Sequence, residues 1–198
     1  MRTKFLILTK SHKRRDDGIN YGKCVAGIIR GADNSFRWVR LVADENGNSI
    51  LDEDFPFEPL DIIEVDLRPC PLGNHVENCL YDCPEKVDTI NINQLKSIFR
   101  KMPHSFFGSM SSIFVGNPKN SLTIFLATDL YIYRDDAGRR RVDFKMGNNT
   151  ANKISMTDPN HYRLPEERIP LAICVASLPH NPVYNKFIAS IFPIDSYE

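Results

Sequence analysis

Short apolar runs recur along the chain, separated by clusters of turn residues. Residues 4–9 (KFLILT) are mostly apolar and β-prone, which predicts a buried strand. Residues 10–21 are polar and carry Lys10, His12, Lys13, Arg14 and Arg15, so they read as a basic loop. Residues 23–29 (KCVAGII) predict a second strand, with Gly27 marking a bulge or a close backbone approach. A turn over 31–35 leads to a third strand, 36–42 (FRWVRLV). Its alternation places Phe36, Trp38, Arg40 and Val42 on one face and Arg37, Val39 and Leu41 on the other. The three strands form an antiparallel meander. After an acidic, turn-rich stretch, 60–67 (LDIIEVDL) alternates cleanly as a fourth strand, and 76–81 reads as a short one. Residues 93–102 predict a helix. Asn93 can cap it, Leu95, Ile98, Phe99 and Met102 line one face, and Pro103 stops it.

Residues 105–120 are rich in Ser, Gly and Asn, and the domain boundary is placed there, giving domains 1–112 and 113–198. The β texture then resumes at 121–128, 130–133, 139–146 and 153–157. Residues 157–170 are polar and punctuated by proline, and strands follow at 171–177 and 185–192. Two halves of about five short strands each point to two small β-barrels or one sandwich. A helix among the later strands of the first half suits an OB-type barrel, although strand count alone does not choose among β folds.

The 198 residues hold 25 basic and 25 acidic side chains, a net charge of zero that excludes a histone-like polycation. It leaves room for a local basic stripe. A 42% hydrophobic content excludes disorder. No apolar run approaches the roughly 20 residues that span a bilayer, and the first residues do not read as a signal peptide. A cytoplasmic chain is expected. Cys24, Cys70, Cys79, Cys83 and Cys174 are odd in number and scattered, which suits reduced thiols.

The first chemical candidate is a basic and aromatic surface. Lys10, Lys13, Arg14, Arg15, Arg37, Trp38 and Arg40 supply it in the first half, with Tyr21 as another ring on which a base could stack. Arg139, Arg140, Arg141 and Lys145 supply it in the second, with Tyr131 and Tyr133 nearby. Phosphates need the charge and splayed bases need the rings. The competing reading puts Trp38 in the core and the arginines on a solvated face, with Asp135 and Asp136 neutralising the run at 139–141. Tyr184 and Lys186 could read a phosphate, although a lysine at a strand edge is also ordinary protection against aggregation.

Cys70, His75, Cys79 and Cys83 have the residue types of a zinc site but not its usual spacing. Glu77 and Asn78 open a strand and read as a structural polar pair. Asp61, Glu64, Glu77, Asp129 and Asp158 are the acids considered for catalysis. A turn explains Asp158 without chemistry. No Gly-rich phosphate loop or nucleophile motif is present, so neither enzyme activity nor a cofactor is expected.

The order KFLILTKSHK (4–13), GKCVAGI (22–28), RWVRLV (37–42), LDIIEV (60–65), ENCLYD (77–82), RRRVDF (139–144), ISMTDP (154–159), AICVASL (172–178) and YNKFIASIF (184–192) resembles a family of small bacterial dual OB-domain proteins. The resemblance covers nearly the whole chain. It implies an all-β fold of two tandem OB-like barrels with one or two short helices. By analogy it implies nucleic-acid binding, in a phage-defence or mobile-element setting. Single-stranded DNA or RNA is the expected partner, more than duplex. The alternatives are an adaptor subunit that docks a protein within a larger complex and a metal-dependent nuclease of unfamiliar design.

Overall fold

The structure is a computed structural model and describes residues 2–14, 21–73, 75–107, 110–114, 120–162, 165–178 and 184–196. In chain order the strands and helices are β1 (Thr3–Arg14), β2 (Tyr21–Arg30), β3 (Phe36–Leu41), β4 (Ile50–Leu51), β5 (Asp61–Pro69), β6 (Asn78–Thr89), α1 (Ile92–Phe99) and β7 (Ile113–Phe114). They continue as β8 (Leu122–Arg134), β9 (Arg140–Met146), β10 (Asn149–Met156), α2 (Pro159–Tyr162), β11 (Glu167–Ser177), β12 (Tyr184–Asn185) and β13 (Phe187–Pro193). The chain divides into two compact units, Met1–Leu95 and Lys96–Glu198.

In the first unit β1, β2 and β3 form an antiparallel meander. β3 then pairs parallel with β6, β6 antiparallel with β5, and β5 antiparallel with β1, which closes a ring. Alternation turns Phe5, Ile7, Val25, Val39, Leu41, Ile63 and Val65 into the ring to form its core. Gly27 sits opposite the β1 bulge between Ile7 and Thr9, where a Cβ would lie 1.9 Å from the Leu6 carbonyl oxygen. Only a residue without a side chain lets the two backbones approach this closely.

The second unit repeats the plan. β8, β9 and β10 form the meander, β10 pairs parallel with β13, and β13 and β8 both flank β11 antiparallel. The barrel is closed. Its core gathers Phe106, Phe125, Phe144, Ile132, Val142 and Ile188. A meander closed through a parallel pairing of its third strand with the last is a Greek-key ring of the OB kind, so the expectation of two tandem OB-like barrels holds.

Three local expectations change. β1 runs on through Arg14, so the first part of the stretch read as a basic loop is strand. α1 begins at Ile92 and follows the last strand of the first barrel rather than lying among its later strands. Its cap is Asn91, whose Oδ1 accepts from the Gln94 amide while Gln94 Oε1 accepts from the Asn91 amide, a reciprocal capping box. The runs at 121–128 and 130–133 are one strand, β8, kinked at Asp129, where φ is 51°. Phe106 and Phe107, at the start of the Ser- and Gly-rich stretch, are buried in the second unit's core.

Candidate nucleic-acid interface

In the second barrel the turn between β8 and β9 is built on Asp135. Its Oδ1 accepts from the backbone amides of Ala137 and Arg139. Gly138, at φ 73°, completes the turn. Asp135 Oδ2 lies 3.2 Å from Arg139 Nε and 2.9 Å from Arg141 Nε, so one carboxylate gathers two guanidinium groups. The Arg139 amide, followed by the Arg141 side chain, holds the Asp135 carboxyl down at about 2. Arg141 Nη1 also donates to Ser155 Oγ across the β9–β10 ladder.

These groups line a cleft of about 460 Å³ together with Lys153, Asn185 and Lys186. The cleft's walls are the β8–β9 turn, the outward face of β9 and β10, and the segment leading into β13. Lys186 is 1% exposed. Its Nζ donates to the Phe106 carbonyl and sits 4.6 Å from the centre of the Phe106 ring. Burial lowers its pKa to about 8. Four basic side chains face two acidic ones in the cleft, Asp135 and Asp136. Beside it on β8, Tyr131 and Tyr133 stack at 5.2 Å, and the Arg168 guanidinium lies 4.4 Å from the Tyr131 ring centre. Tyr133 stands opposite Arg141 in register. Burial and the neighbouring Asp143 carboxylate push the Tyr133 hydroxyl up to about 12.

The chain matches the family model described as the dual OB-containing domain over residues 3–190. The chain belongs to that family. No match was found among the curated proteins, and none among the solved structures. In this dual-OB chain no helix among the described residues is long and apolar enough to cross a membrane.

Of the predicted contact residues, the structure brings Arg139 and Arg141 together in the cleft. It turns three others to structural use. Lys10 is buried, with its Nζ 2.9 Å from Asp52 and 3.0 Å from Glu58, so it is not an open phosphate contact. Arg40 is buried against Glu77, 3.5 Å from Nε to Oε1, and its Nη1 donates to Cys24 Sγ. Arg140 is buried and donates to the Pro165 carbonyl. Arg37 is exposed and Trp38 half-buried on β3, where Val39 and Leu41 supply the core. Lys13 and Arg14 continue β1 in register with Gly22 and Tyr21. The side chains of Lys13, Arg14 and Tyr21, and the whole of Arg15, lie outside the described residues.

Of the acids considered for catalysis, Asp61, Asp129 and Asp158 also have structural partners. Asp61 accepts from Lys86, Thr89 and the Glu58 amide. Asp129 pairs with Lys145. Asp158 caps α2 through the Asn160 amide, as its turn predicts, and in addition accepts from the Ile191 amide of β13. Among the described residues no group of His, Cys, Asp and Glu is placed to hold a metal ion, so Cys70, His75, Cys79 and Cys83 do not form one. The sequence reading missed Lys153, Ser155 and Asn185. Ser155 and Lys153 come beside Arg141 through the β9–β10 hairpin, where Ser155 stands opposite Arg141, and Asn185 joins them where β10 meets β13.

Proposed function

We propose that this protein binds single-stranded nucleic acid, and that the second barrel does so through β9, β10 and the segments flanking them. The observation that carries this is the position of the basic cleft. OB barrels place their ligand on the face of the second and third strands, between the loop joining strands one and two and the loop joining strands four and five. β9 and β10 are the second and third strands here, and the cleft holds an excess of cations at that location. Cations meet phosphates at such a site, and nearby rings can carry bases.

The test is fluorescence anisotropy of labelled single-stranded DNA, single-stranded RNA and duplex DNA, titrated with the full chain at several salt concentrations. For a single strand log K falls with log salt by roughly 0.7 per phosphate neutralised. Four cleft cations therefore set a slope no steeper than about −2.8, and Arg139→Ala is expected to flatten it by about 0.7. Absence of binding at low salt, or an unchanged slope in Arg139→Ala, removes the reading. The zero net charge favours a second reading, an adaptor for a protein partner. Copurification of a defined subunit without any nucleic-acid shift would bring it forward.

A further inference from the structure

Tyr131 and Tyr133 alternate with buried Leu130 and Ile132 on β8, so both rings stand on the outward side of the second barrel. Each is fixed by its hydroxyl. Tyr131 Oη donates to Glu166 Oε2 at 2.5 Å, and Tyr133 Oη donates to Asp143 Oδ1 at 3.1 Å. The two ring planes lie within 16° of one another. Arg168 stands opposite Tyr131 in register and lays its guanidinium over that ring. Tyr131 therefore has a cation and a ring against it. Tyr133 has one stacked ring, Tyr131, and among the described residues no cation lies over it. A planar ring with a single neighbour keeps its second face open.

Tyr131 covers Tyr133 from the side of the earlier residues of β8, so the open face turns toward the later ones. Those lead to Asp135, which gathers Arg139 and Arg141. Across the ladder Tyr133 stands opposite Arg141, a lining residue of the cleft. The order along β8 is thus capped ring, open ring, cations, and a nucleotide offers the matching order of base and phosphate. Charge agrees. Glu166 and Asp143, at the hydroxyl ends of the rings, repel a phosphate laid over them but not a neutral base. The Tyr133 hydroxyl, pushed up to about 12 by burial and Asp143, keeps its proton, so the ring is uncharged at neutral pH. A ring already held in place loses little freedom when a base settles on it. In a duplex both faces of an internal base are taken by its neighbours, so only an unpaired base can use the platform.

We infer that Tyr133 is the stacking platform for one unpaired base at the second barrel, with the phosphates beside that base on the Arg139 and Arg141 side. This rests on the reading of the cleft as a nucleic-acid site and adds a requirement to it. A chain of sugar and phosphate alone satisfies the cations but not the ring. Every base has a π-face, so the contact asks for a base without asking which.

The experiment uses the full chain and two labelled single strands of equal length, an oligothymidylate and an abasic deoxyribose-phosphate chain. One stacked base is expected to favour the thymidylate by about 5–150-fold. Tyr133→Leu should lower that preference by at least about fivefold, cost the abasic chain little, and leave the salt slope as it was. Tyr133→Phe keeps the ring and should keep the preference. Arg139→Ala should do the converse, weakening both strands and flattening the slope while the preference stays. Tyr133→Trp supplies a readout that does not depend on losing the ring, since its added emission should be quenched by the thymidylate and not by the abasic chain. A wild type without preference, a preference unchanged in Tyr133→Leu, an equal loss on both strands, or no quenching of Tyr133→Trp overturns the inference while leaving strand binding intact. Binding of neither strand at low salt removes the strand-binding reading and the platform with it.

Discussion

Phe106 lies in a stretch whose composition looks like a linker, yet it is 3% exposed. Its ring centre is 5.1 Å from those of Phe125 and Phe144, one on β8 and one on β9. Phe106→Ala removes the ring from a packed cluster that cannot fully collapse, a change that costs about 3–5 kcal/mol in well-packed cores. A unit of this size has roughly 5–15 kcal/mol in total, so the loss is a large share. At roughly 4–8 °C per kcal/mol, the second unit's melting temperature should fall by about 12–40 °C. The assay is differential scanning calorimetry of the full chain, with Phe106→Leu as a milder companion. The same substitution takes away the aromatic face under Lys186 Nζ, so Phe106→Leu should also weaken oligonucleotide binding. A shift below about 5 °C for Phe106→Ala would refute the assignment of this stretch to the second core.

Three further outcomes follow from the first barrel. Gly27→Ala forces a Cβ into the Leu6 backbone and should destabilise the barrel by at least about 3 kcal/mol in urea unfolding; a loss under about 1 kcal/mol contradicts the close approach. Glu77→Ala strands the buried Arg40 guanidinium and should cost about 3–5 kcal/mol, whereas the double change Arg40→Met with Glu77→Leu should come close to wild type; equal losses would show that charge burial is not the cause. Burial alone would raise the Asp61 carboxyl, but bonds from Lys86, the Glu58 amide and Thr89 outweigh it and hold it below its ordinary value. Its contribution is therefore present above about pH 4 and lost as the pH falls through the lower folded value, so Asp61→Asn should destabilise at pH 7 and the deficit should shrink in acid. A deficit that stays constant to pH 2 contradicts the linkage.

Period and turn chemistry located the strands wherever one face meets the core. β3 and β5 were legible because Val39, Leu41, Ile63 and Val65 alternate with polar residues. The extension of β1 was not, because Lys10, Ser11 and His12 are polar by type. Lys10 is nevertheless buried, held by two carboxylates at 52 and 58 that only the folded chain brings near. The short strand read at 76–81 is part of the longer β6, which continues through Pro84 and a run of charges to Thr89 with its later residues mostly exposed. In the cleft the arginines at 139 and 141 announced themselves as a cluster. Lys186 was ambiguous alone, and Lys153 and Asn185 gave no signal, since their meeting depends on the parallel pairing of β10 with β13.

That parallel pairing also orders events in time. Each ring closes only when its last strand arrives, β6 for the first and β13 for the second. β6 ends at Thr89 and β13 at Pro193, about a hundred residues later. At roughly 5–20 residues per second, the ribosome needs about 5–20 s to cover that distance. The first barrel can close within this interval, while β8, β9 and β10 emerge without the strand that completes them. The nascent second half is thus the part a chaperone would hold, and a ribosome stalled before residue 187 would release a protein with one finished barrel and no cleft.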